Sequence, residues 1–557
     1  MGGAGALRGR LRPAGIAGAA IAAYLPALRG GFVYDDHLFF EWTRTLRGPL
    51  WRIWADASSP DYWPLTLTTF WAEWRLWGPE PSGYHAVNVA LHAVAAVLLW
   101  RVLLRLRIPG AWLGGLLFAV HPVAVESVAW ISERKNVLSG ALFLVALLAW
   151  LRFDEEGRAR DRVLSLAAFA LALLAKTSVV MLPPLLLALA WVRRGRLERR
   201  DWARAAPFFA LALAAGLVTL WFQWQNAMAL LWLPPRGPLE RLSGAAWALG
   251  FYVEKAFLPV GLSFVHPGWP VPPASPLFHL PALLLAAAAA AAWRLRRTRG
   301  RPVILAVGFQ ALMLLPVLGF VEIAYFDVAP VSNHLGYLAL MGPCALGGAG
   351  LARAAGVRPA VTRPALAAIL LGLVASTFSR ATAFEDELSL WERAVRDEPG
   401  SAYARGKLAV ELADRGRREE ALFQLREMAR VARDPSVREF ALSYWHLYQG
   451  RGDEAVAHAR EALRWRDSPD LRRHLALQLV VTGRSAEAVG ILAALVERWP
   501  QDADYRLWLG RALAAEGRLE EARQELAAAM ELPPGDARVE ALLRQAAARP
   551  PRRGIGP

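Results

Sequence analysis

The stretch Gly416-Arg417-Arg418-Glu419-Glu420-Ala421 has three similar counterparts in the C-terminal part of the chain. Its counterparts begin at Gly450, Gly483 and Gly517, which are spaced by 34, 33 and 34 residues. Each copy carries an alanine at its sixth position, namely Ala421, Ala455, Ala488 and Ala522. We expect each glycine to end one helix and each small alanine to let the following helix pack closely.

Prolines with a similar spacing mark the joints between these units: Pro399, Pro435, Pro469 and Pro500. A period of about 34 residues with two helices per unit is typical of tetratricopeptide repeats (TPRs). Four or so units, from about Glu387 to Leu532, predict a short superhelix whose concave groove binds a protein partner. A purely architectural role is the alternative.

Upstream of Arg380 the composition is different. Four segments contain no Asp, Glu, Lys or Arg: residues 205–235, 256–293, 302–321 and 328–352. A helix that crosses a membrane needs about 20 apolar residues, so these segments are long enough. With 55% hydrophobic residues overall, the sequence predicts an all-α protein, in which a polytopic membrane helical bundle of about eleven spans is followed by a TPR α-solenoid.

The positive charge follows the same division. The chain carries a net charge of +16; residues 381–557 sum to −1, which leaves +17 for residues 1–380. Arginine clusters recur at alternate ends of the apolar segments, as the positive-inside rule requires. This placement argues against nucleic acid as a partner. It predicts a cytoplasmic N-terminus and an extracytoplasmic repeat domain.

The predicted spans lie near residues 13–29, 84–104, 108–124, 136–153, 162–176, 178–192, 204–223, 278–294, 302–320, 334–352 and 364–379. The apolar segment 243–259 carries Glu254 and Lys255, and whether it spans or is re-entrant stays open. The first span also resembles a signal peptide, but we expect it to be retained. The predicted domains are therefore a membrane domain at 1–380 with a first extracytoplasmic loop at 30–83, repeats at 381–545 and a flexible tail at 546–557.

Two adjacent carboxylates, Asp35 and Asp36, follow the first span within the stretch Phe32-Val33-Tyr34-Asp35-Asp36-His37. Side by side they can bind a divalent metal or serve as a general base. Alternatively, one of them caps a following helix over residues 38–45. The single cysteine, Cys344, excludes a cysteine-based metal cluster. A divalent metal at the acidic pair is left open.

A series of motifs follows in a fixed order. It comprises Tyr34-Asp35-Asp36, Tyr62-Trp63-Pro64, Tyr84-His85, His121-Pro122 with Glu126, Ser132-Glu133-Arg134-Lys135-Asn136, Ala175-Lys176-Thr177, Glu254-Lys255 and Asn333-His334-Leu335-Gly336-Tyr337. In this order, ahead of the repeats, the series resembles transmembrane and TPR-containing O-mannosyltransferases of the GT-C class and their bacterial relatives. The resemblance implies transfer of a sugar from a polyprenyl-phosphate donor to an extracytoplasmic acceptor.

The resemblance and the chemistry together assign candidate residues. Asp35 and Asp36 are expected to be catalytic, with either as the base and a slight preference for Asp36. Cations must hold the departing lipid phosphate, whose charge grows in the transition state. The candidates for substrate and phosphate binding are Arg134, Lys135, Lys176, Lys255, His334 and Tyr337, and further cavity candidates are His85, His121, Glu126 and Glu133. His334 stands where the eukaryotic relatives usually have an arginine, which makes it the substitute.

The predicted function is therefore that of a membrane glycosyltransferase whose repeats recruit a protein or glycan acceptor, or a partner protein. The composition is typical of a bacterial protein, which places the bundle in the inner membrane and the repeats in the periplasm. The alternatives are a non-catalytic TPR membrane scaffold for envelope assembly and a sugar-lipid ligase or flippase.

Overall fold

In a computed structural model of the chain, the described residues are 3–37, 46–57, 61–227, 236–295 and 300–532. All regular elements among these residues are helices. Within the described part, the chain forms two compact units. Of the described residues, the first unit comprises 3–32, 49–57, 61–227, 236–295 and 300–389, and the second comprises 33–37, 46–48 and 390–532. The acidic pair at Asp35 and Asp36 thus belongs to the same unit as the repeats.

The helices of the first unit are numbered here in chain order. They are α1 (Gly3–Ala23), α2 (Leu50–Ala55), α3 (Pro64–Trp77), α4 (Pro81–Arg105), α5 (Ala111–Ala119), α6 (Val125–Ala129), α7 (Arg134–Glu156), α8 (Ala159–Ala175), α9 (Leu182–Arg194), α10 (Arg199–Phe222), α11 (Pro238–Phe257), α12 (Leu280–Arg294), α13 (Gly300–Leu314), α14 (Met341–Val357) and α15 (Pro359–Ala381).

Six helical segments in the described residues are long and apolar enough to cross a membrane, and a bent pair can add a seventh. The six are Pro81–Arg105, Ile131–Glu156, Thr177–Arg194, Arg199–Asn226, Pro276–Arg294 and Pro359–Phe384. The bent pair joins Ala111–Ala119 to Pro122–Ala129 at 47°. The membrane helical bundle is confirmed. The figure of eleven spans stays a prediction, because several helices at the predicted positions are shorter than this criterion demands. The ambiguous segment 243–259 lies mostly in α11.

Two helices of the bundle approach closely through glycine. A Cβ atom on Gly348 of α14 would lie 2.5 Å from the backbone nitrogen of Gly114 on α5. A Cβ on Gly114 would in turn lie 2.8 Å from the side chain of Leu103 and 3.4 Å from Ala345. Small residues at such a crossing let the backbones meet, which is how membrane helices gain packing energy.

The second unit contains the repeats. Its helices are α16 (Glu387–Asp397), α17 (Ala402–Asp414), α18 (Arg418–Val431), α19 (Pro435–Tyr448), α20 (Gly452–Trp465), α21 (Pro469–Val481), α22 (Ser485–Arg498), α23 (Ala503–Ala515) and α24 (Leu519–Glu531). The four repeat glycines have φ between 75° and 80°, in the left-handed region that favours glycine at a helix end. The four repeat alanines are fully buried. The predicted solenoid is confirmed, and the predicted tail at 546–557 lies outside the described residues.

Arginines at equivalent positions form the same contacts in the first and fourth repeats. Arg405 donates from Nε to the carbonyl of Pro399 at 2.9 Å, and Arg506 donates in the same way to Pro500 at 2.8 Å. Each arginine also reaches the second helix of its own repeat, Arg405 through Gln424 and Arg506 through Glu525. The repeats therefore share side-chain contacts as well as backbone geometry.

Candidate active site

The start of α7 gathers charged side chains inside the first unit. Glu133 occupies the position just before this helix, where its side chain makes no capping hydrogen bond, and is 1% exposed. The Nζ atom of Lys135 lies 2.9 Å from Glu133 Oε1, and that of Lys176 lies 3.3 Å from Oε2. Lys176 also donates to Oδ1 of Asn136 at 2.8 Å. We call these four residues the lysine–glutamate cluster; two ammonium groups share one carboxylate, so its net charge is +1.

Lys176 reaches this cluster because the chain changes direction beside it. Helix α8 ends at Ala175, Lys176 is extended with φ −162° and ψ 129°, and a 3₁₀ turn follows at Thr177–Met181. A buried charge persists when it is paired or when it serves a ligand. A cluster with an excess positive charge is suited to an anion such as a lipid phosphate.

Asp61 also lies in this region, although the sequence motifs do not single it out. It is 9% exposed, accepts the N–H of Tyr62 at 2.8 Å and accepts from Nε2 of Gln223 at 3.1 Å. Burial raises the pKa of Asp61, while its two hydrogen bonds and the charges of Lys135 and Lys176 oppose that rise. The available signal was its position immediately before Tyr62-Trp63-Pro64. The Nζ atom of Lys135 lies 4.5 Å from the ring centroid of Trp63.

Arg134 is placed differently from its two neighbours in sequence. It is fully buried and forms a two-pronged pair with Glu73, from Nη1 to Oε1 at 2.5 Å and from Nη2 to Oε2 at 3.0 Å. Its remaining N–H groups go to Asn88, Thr69 and the carbonyl of Tyr84. These contacts join α7 to α3 and α4. They occupy all of its guanidinium N–H groups and hold the three helices together, and phosphate binding by Arg134 stays a prediction.

A second buried network surrounds Glu126. Its Oε2 atom lies 3.2 Å from Nδ1 of His334 and accepts the N–H of His334 at 3.1 Å, while Oε1 accepts from Nδ2 of Asn333 at 2.6 Å. Asn136 donates to the carbonyl of His334 at 2.8 Å. His334 is thereby connected to the lysine–glutamate cluster through Asn136.

The remaining candidates form hydrogen bonds to other residues. Tyr337 contacts His92, with its hydroxyl 2.9 Å from Nδ1. Nε2 of His85 lies 3.3 Å from the carbonyl of Gly31, and Nε2 of His121 lies 3.1 Å from the carbonyl of Ala256. Lys255 donates to Glu254 and to the carbonyl of Val260, both at 2.9 Å.

The acidic pair lies in the second unit. Asp36 is fully buried, and its Oδ2 atom accepts the backbone N–H of Val33 at 3.0 Å. Asp35 precedes it in a turn and is half-buried. The alternative in which one of them caps a helix over 38–45 falls on residues outside the described part. The described residues hold no group of three or more His, Cys, Asp or Glu arranged for a metal ion.

A buried, charged cluster within a bundle of apolar helices, together with tetratricopeptide repeats, defines a polytopic membrane protein with a TPR domain. Residues 69–222 match the family described as dolichyl-phosphate-mannose-protein mannosyltransferase, and residues 474–537 match the tetratricopeptide repeat family. The matched membrane segment contains Glu133, Lys135 and Lys176, whereas Asp35 and Asp36 precede it.

Individual relatives carry names of the same class as the matched family. The chain is 33% identical to protein O-mannosyl-transferase Tmtc1 of Drosophila melanogaster over 182 residues, covering 30% of this chain and 21% of that protein. It is 34% identical to the Homo sapiens TMTC1 over 167 residues, covering 26% and 19%. The matches thus span about a fifth of the length of these relatives. The predicted resemblance to transmembrane and TPR-containing O-mannosyltransferases is confirmed.

Among solved structures, the chain is similar to YrrB, described as a TPR protein with an unusual peptide-binding site. The identity is 17% and the TM-score 0.22, with 36% of this chain and 98% of that chain covered.

Proposed function

We propose that this protein is a GT-C-type membrane glycosyltransferase that moves a sugar from a polyprenyl-phosphate donor to a hydroxyl group of a protein acceptor. The observation that carries the proposal is the lysine–glutamate cluster within the segment matched to the mannosyltransferase family. The names of the relatives support the reaction class. A bacterial inner membrane, with the repeats in the periplasm, is the proposed location.

In the proposed reaction, the acceptor oxygen forms a bond to the anomeric carbon while the bond from that carbon to the phosphate oxygen breaks. The departing polyprenyl phosphate keeps the electron pair, so its charge grows by one unit. Lys135 and Lys176 would stabilise this charge, since preorganised cations act most strongly where water is excluded. Glu133 keeps the two lysines together and limits their mutual repulsion.

The acceptor proton passes to the acidic pair. Asp36 is engaged by the N–H of Val33 and shapes the turn. Asp35 is more exposed, which makes it the better general base. Asp35 is thus the proposed base, whereas the order of the residues in the sequence slightly favoured Asp36. The repeats would recruit the acceptor protein through their groove.

The test is transfer of label from a polyprenyl-phosphate sugar to periplasmic membrane proteins by the purified full chain in lipid nanodiscs. We expect Asp35→Asn to lower transfer at least about 100-fold, in the range of a lost general base, and Asp36→Asn to lower it less. Glu520→Gln, on the exposed face of α24, is the matched charge-neutralising control. Full activity of Asp35→Asn would overturn the base assignment. Absence of transfer from every such donor would favour the scaffold alternative.

A further inference from the structure

The acidic pair is attached to the first repeat through Tyr34. The hydroxyl oxygen of Tyr34 lies 2.6 Å from that of Tyr403 on α17. The Tyr34 ring also meets Trp391 of α16 edge to face, with ring centroids 5.6 Å apart. Trp391 is 1% exposed, so this contact lies in the core of the second unit. Tyr34 therefore holds the acidic segment against two helices at the start of the solenoid.

Lys407 strengthens the same contact. It follows Tyr403 by one helical turn on α17, and its Nζ atom lies 5.4 Å from the ring centroid of Tyr34 and 5.7 Å from that of Tyr403. A cation this close to an aromatic face is attracted by the ring. The two tyrosine rings are thus joined both by their hydroxyl groups and by a shared ammonium group.

The backbone at Tyr34 adopts an unusual conformation. Its φ is 51°, in the left-handed region that a residue other than glycine adopts at a cost. Such a conformation persists where the surrounding contacts enforce it, often at functional sites. The turn that results brings Oδ2 of Asp36 to the N–H of Val33 at 3.0 Å. The backbone turn and the side-chain contacts of Tyr34 thus both act on the segment that carries Asp35 and Asp36.

We infer that Tyr34 is a positioning residue that fixes the Asp35–Asp36 pair to the first tetratricopeptide repeat, with Tyr403, Lys407 and Trp391 as its partners. The repeats and the acidic pair then move together, so that an acceptor protein held by the repeats is presented to the carboxylates in one orientation. This inference rests on the proposed role of the acidic pair, and it goes beyond recruitment because it gives the repeats a part in placing the base.

The first test follows the motion of the acidic segment itself. Cys344 is the single cysteine and is buried, so His37→Cys can carry a nitroxide label in the full chain in nanodiscs. We expect Tyr34→Phe and Tyr403→Phe each to increase the mobility of this label in electron paramagnetic resonance spectra. Tyr505→Phe, which removes one hydroxyl from the fourth repeat, is the matched control and should leave the spectrum unchanged.

Because one hydrogen bond joins the two hydroxyls, the double variant Tyr34→Phe/Tyr403→Phe should be no more mobile than either single variant. Additive effects, or a spectrum of Tyr34→Phe identical to that of the unchanged chain, would overturn the positioning role. Both results are read without measuring transfer, so they do not depend on the proposed reaction.

The second test measures transfer. Loss of one hydrogen bond should lower kcat/KM for the protein acceptor about fivefold in Tyr34→Phe and in Tyr403→Phe, with KM for the lipid-linked donor unchanged. A mobile label with unaltered acceptor kinetics would overturn the coupling to acceptor use. If Asp35→Asn and Asp36→Asn both transfer normally, the proposed base role fails instead, whatever the spectra show.

Discussion

Lys176 and Glu133 are 43 residues apart in the chain, yet Nζ of Lys176 lies 3.3 Å from Oε2 of Glu133. This pair closes the lysine–glutamate cluster. Lys135 occupies the other oxygen of the same carboxylate, which leaves one positive charge in excess within the four-residue cluster, and the carboxylate of Asp61 acts on both lysines from outside it. Such an arrangement can bind an anion, which is the role proposed for it in donor binding.

We therefore predict that Lys176→Met lowers kcat/KM for the polyprenyl-phosphate donor by about 100-fold or more, as removal of a preorganised charge-stabilising group does. Lys176→Arg keeps the positive charge but replaces the compact ammonium group with a planar guanidinium group, so it should retain part of the activity. Steady-state kinetics with a labelled donor provide the measurement. The control is Arg193→Gln, which removes a positive charge that is paired with Asp154 and Glu155. An equal loss in that variant would point to a general effect of charge.

Arg134→Met should destabilise the bundle by about 3–5 kcal/mol, since it leaves Glu73 as an unpaired buried carboxylate. Thermal unfolding in detergent measures the effect. The double variant Arg134→Met/Glu73→Met should recover part of the loss because no unpaired charge remains. Arg523→Met breaks an exposed pair with Glu520 and should cost less than about 1 kcal/mol. If Arg134→Met is as stable as the unchanged chain but no longer binds donor, Arg134 serves the substrate after all.

The crossing of α5 and α14 allows a matched pair of substitutions on one helix. Gly348→Ala places a methyl group 2.5 Å from the backbone of Gly114, whereas a Cβ on Gly350 meets nothing within 4 Å. Gly348→Ala should lower the unfolding temperature clearly, because the helices must separate. Gly350→Ala should be neutral or stabilising by up to about 1 kcal/mol, since alanine favours a helix over glycine. Similar unfolding temperatures for the two variants would contradict the close approach.

The repeats should become less stable in acid because of His474. Burial, helped by the charge of Arg473, lowers the pKa of His474 to about 3, and its Nε2 atom lies 3.0 Å from Oγ of Ser443. In the unfolded chain His474 takes up a proton near pH 6.5. In the folded unit it stays neutral until the pH approaches about 3. Stability is therefore full above about pH 6.5 and falls towards pH 3, by at most roughly 1.4 kcal/mol per pH unit.

Urea titrations at several pH values measure this loss. Hydrogen exchange in peptides from α19 and α21 reports the unfolding of this part of the repeats during each titration. His474→Gln should flatten the dependence on pH, although it will lower the stability at neutral pH. A slope that His474→Gln leaves unchanged would assign the acid sensitivity to other groups.

Local patterns in the sequence predicted the helices and the repeats. The left-handed glycines and buried alanines of the solenoid follow from a period of about 34 residues. The positions of the membrane helices follow from apolar runs. Such signals are local, because helix formation and burial of an apolar face depend on neighbouring residues.

Only the tertiary structure determined which polar residues pair with one another. The sequence placed Arg134 and Lys135 together as phosphate ligands, but successive residues on a helix point in different directions, so that one meets Glu73 and the other meets Glu133. Asp61 directly precedes the motif Tyr62-Trp63-Pro64, but nothing local in the sequence indicates that it lies near the lysines. The contact between Tyr34 and Tyr403 joins residues 369 positions apart. Pairings of this kind leave no periodic or compositional signal in the sequence, because only the packing of the folded chain determines them.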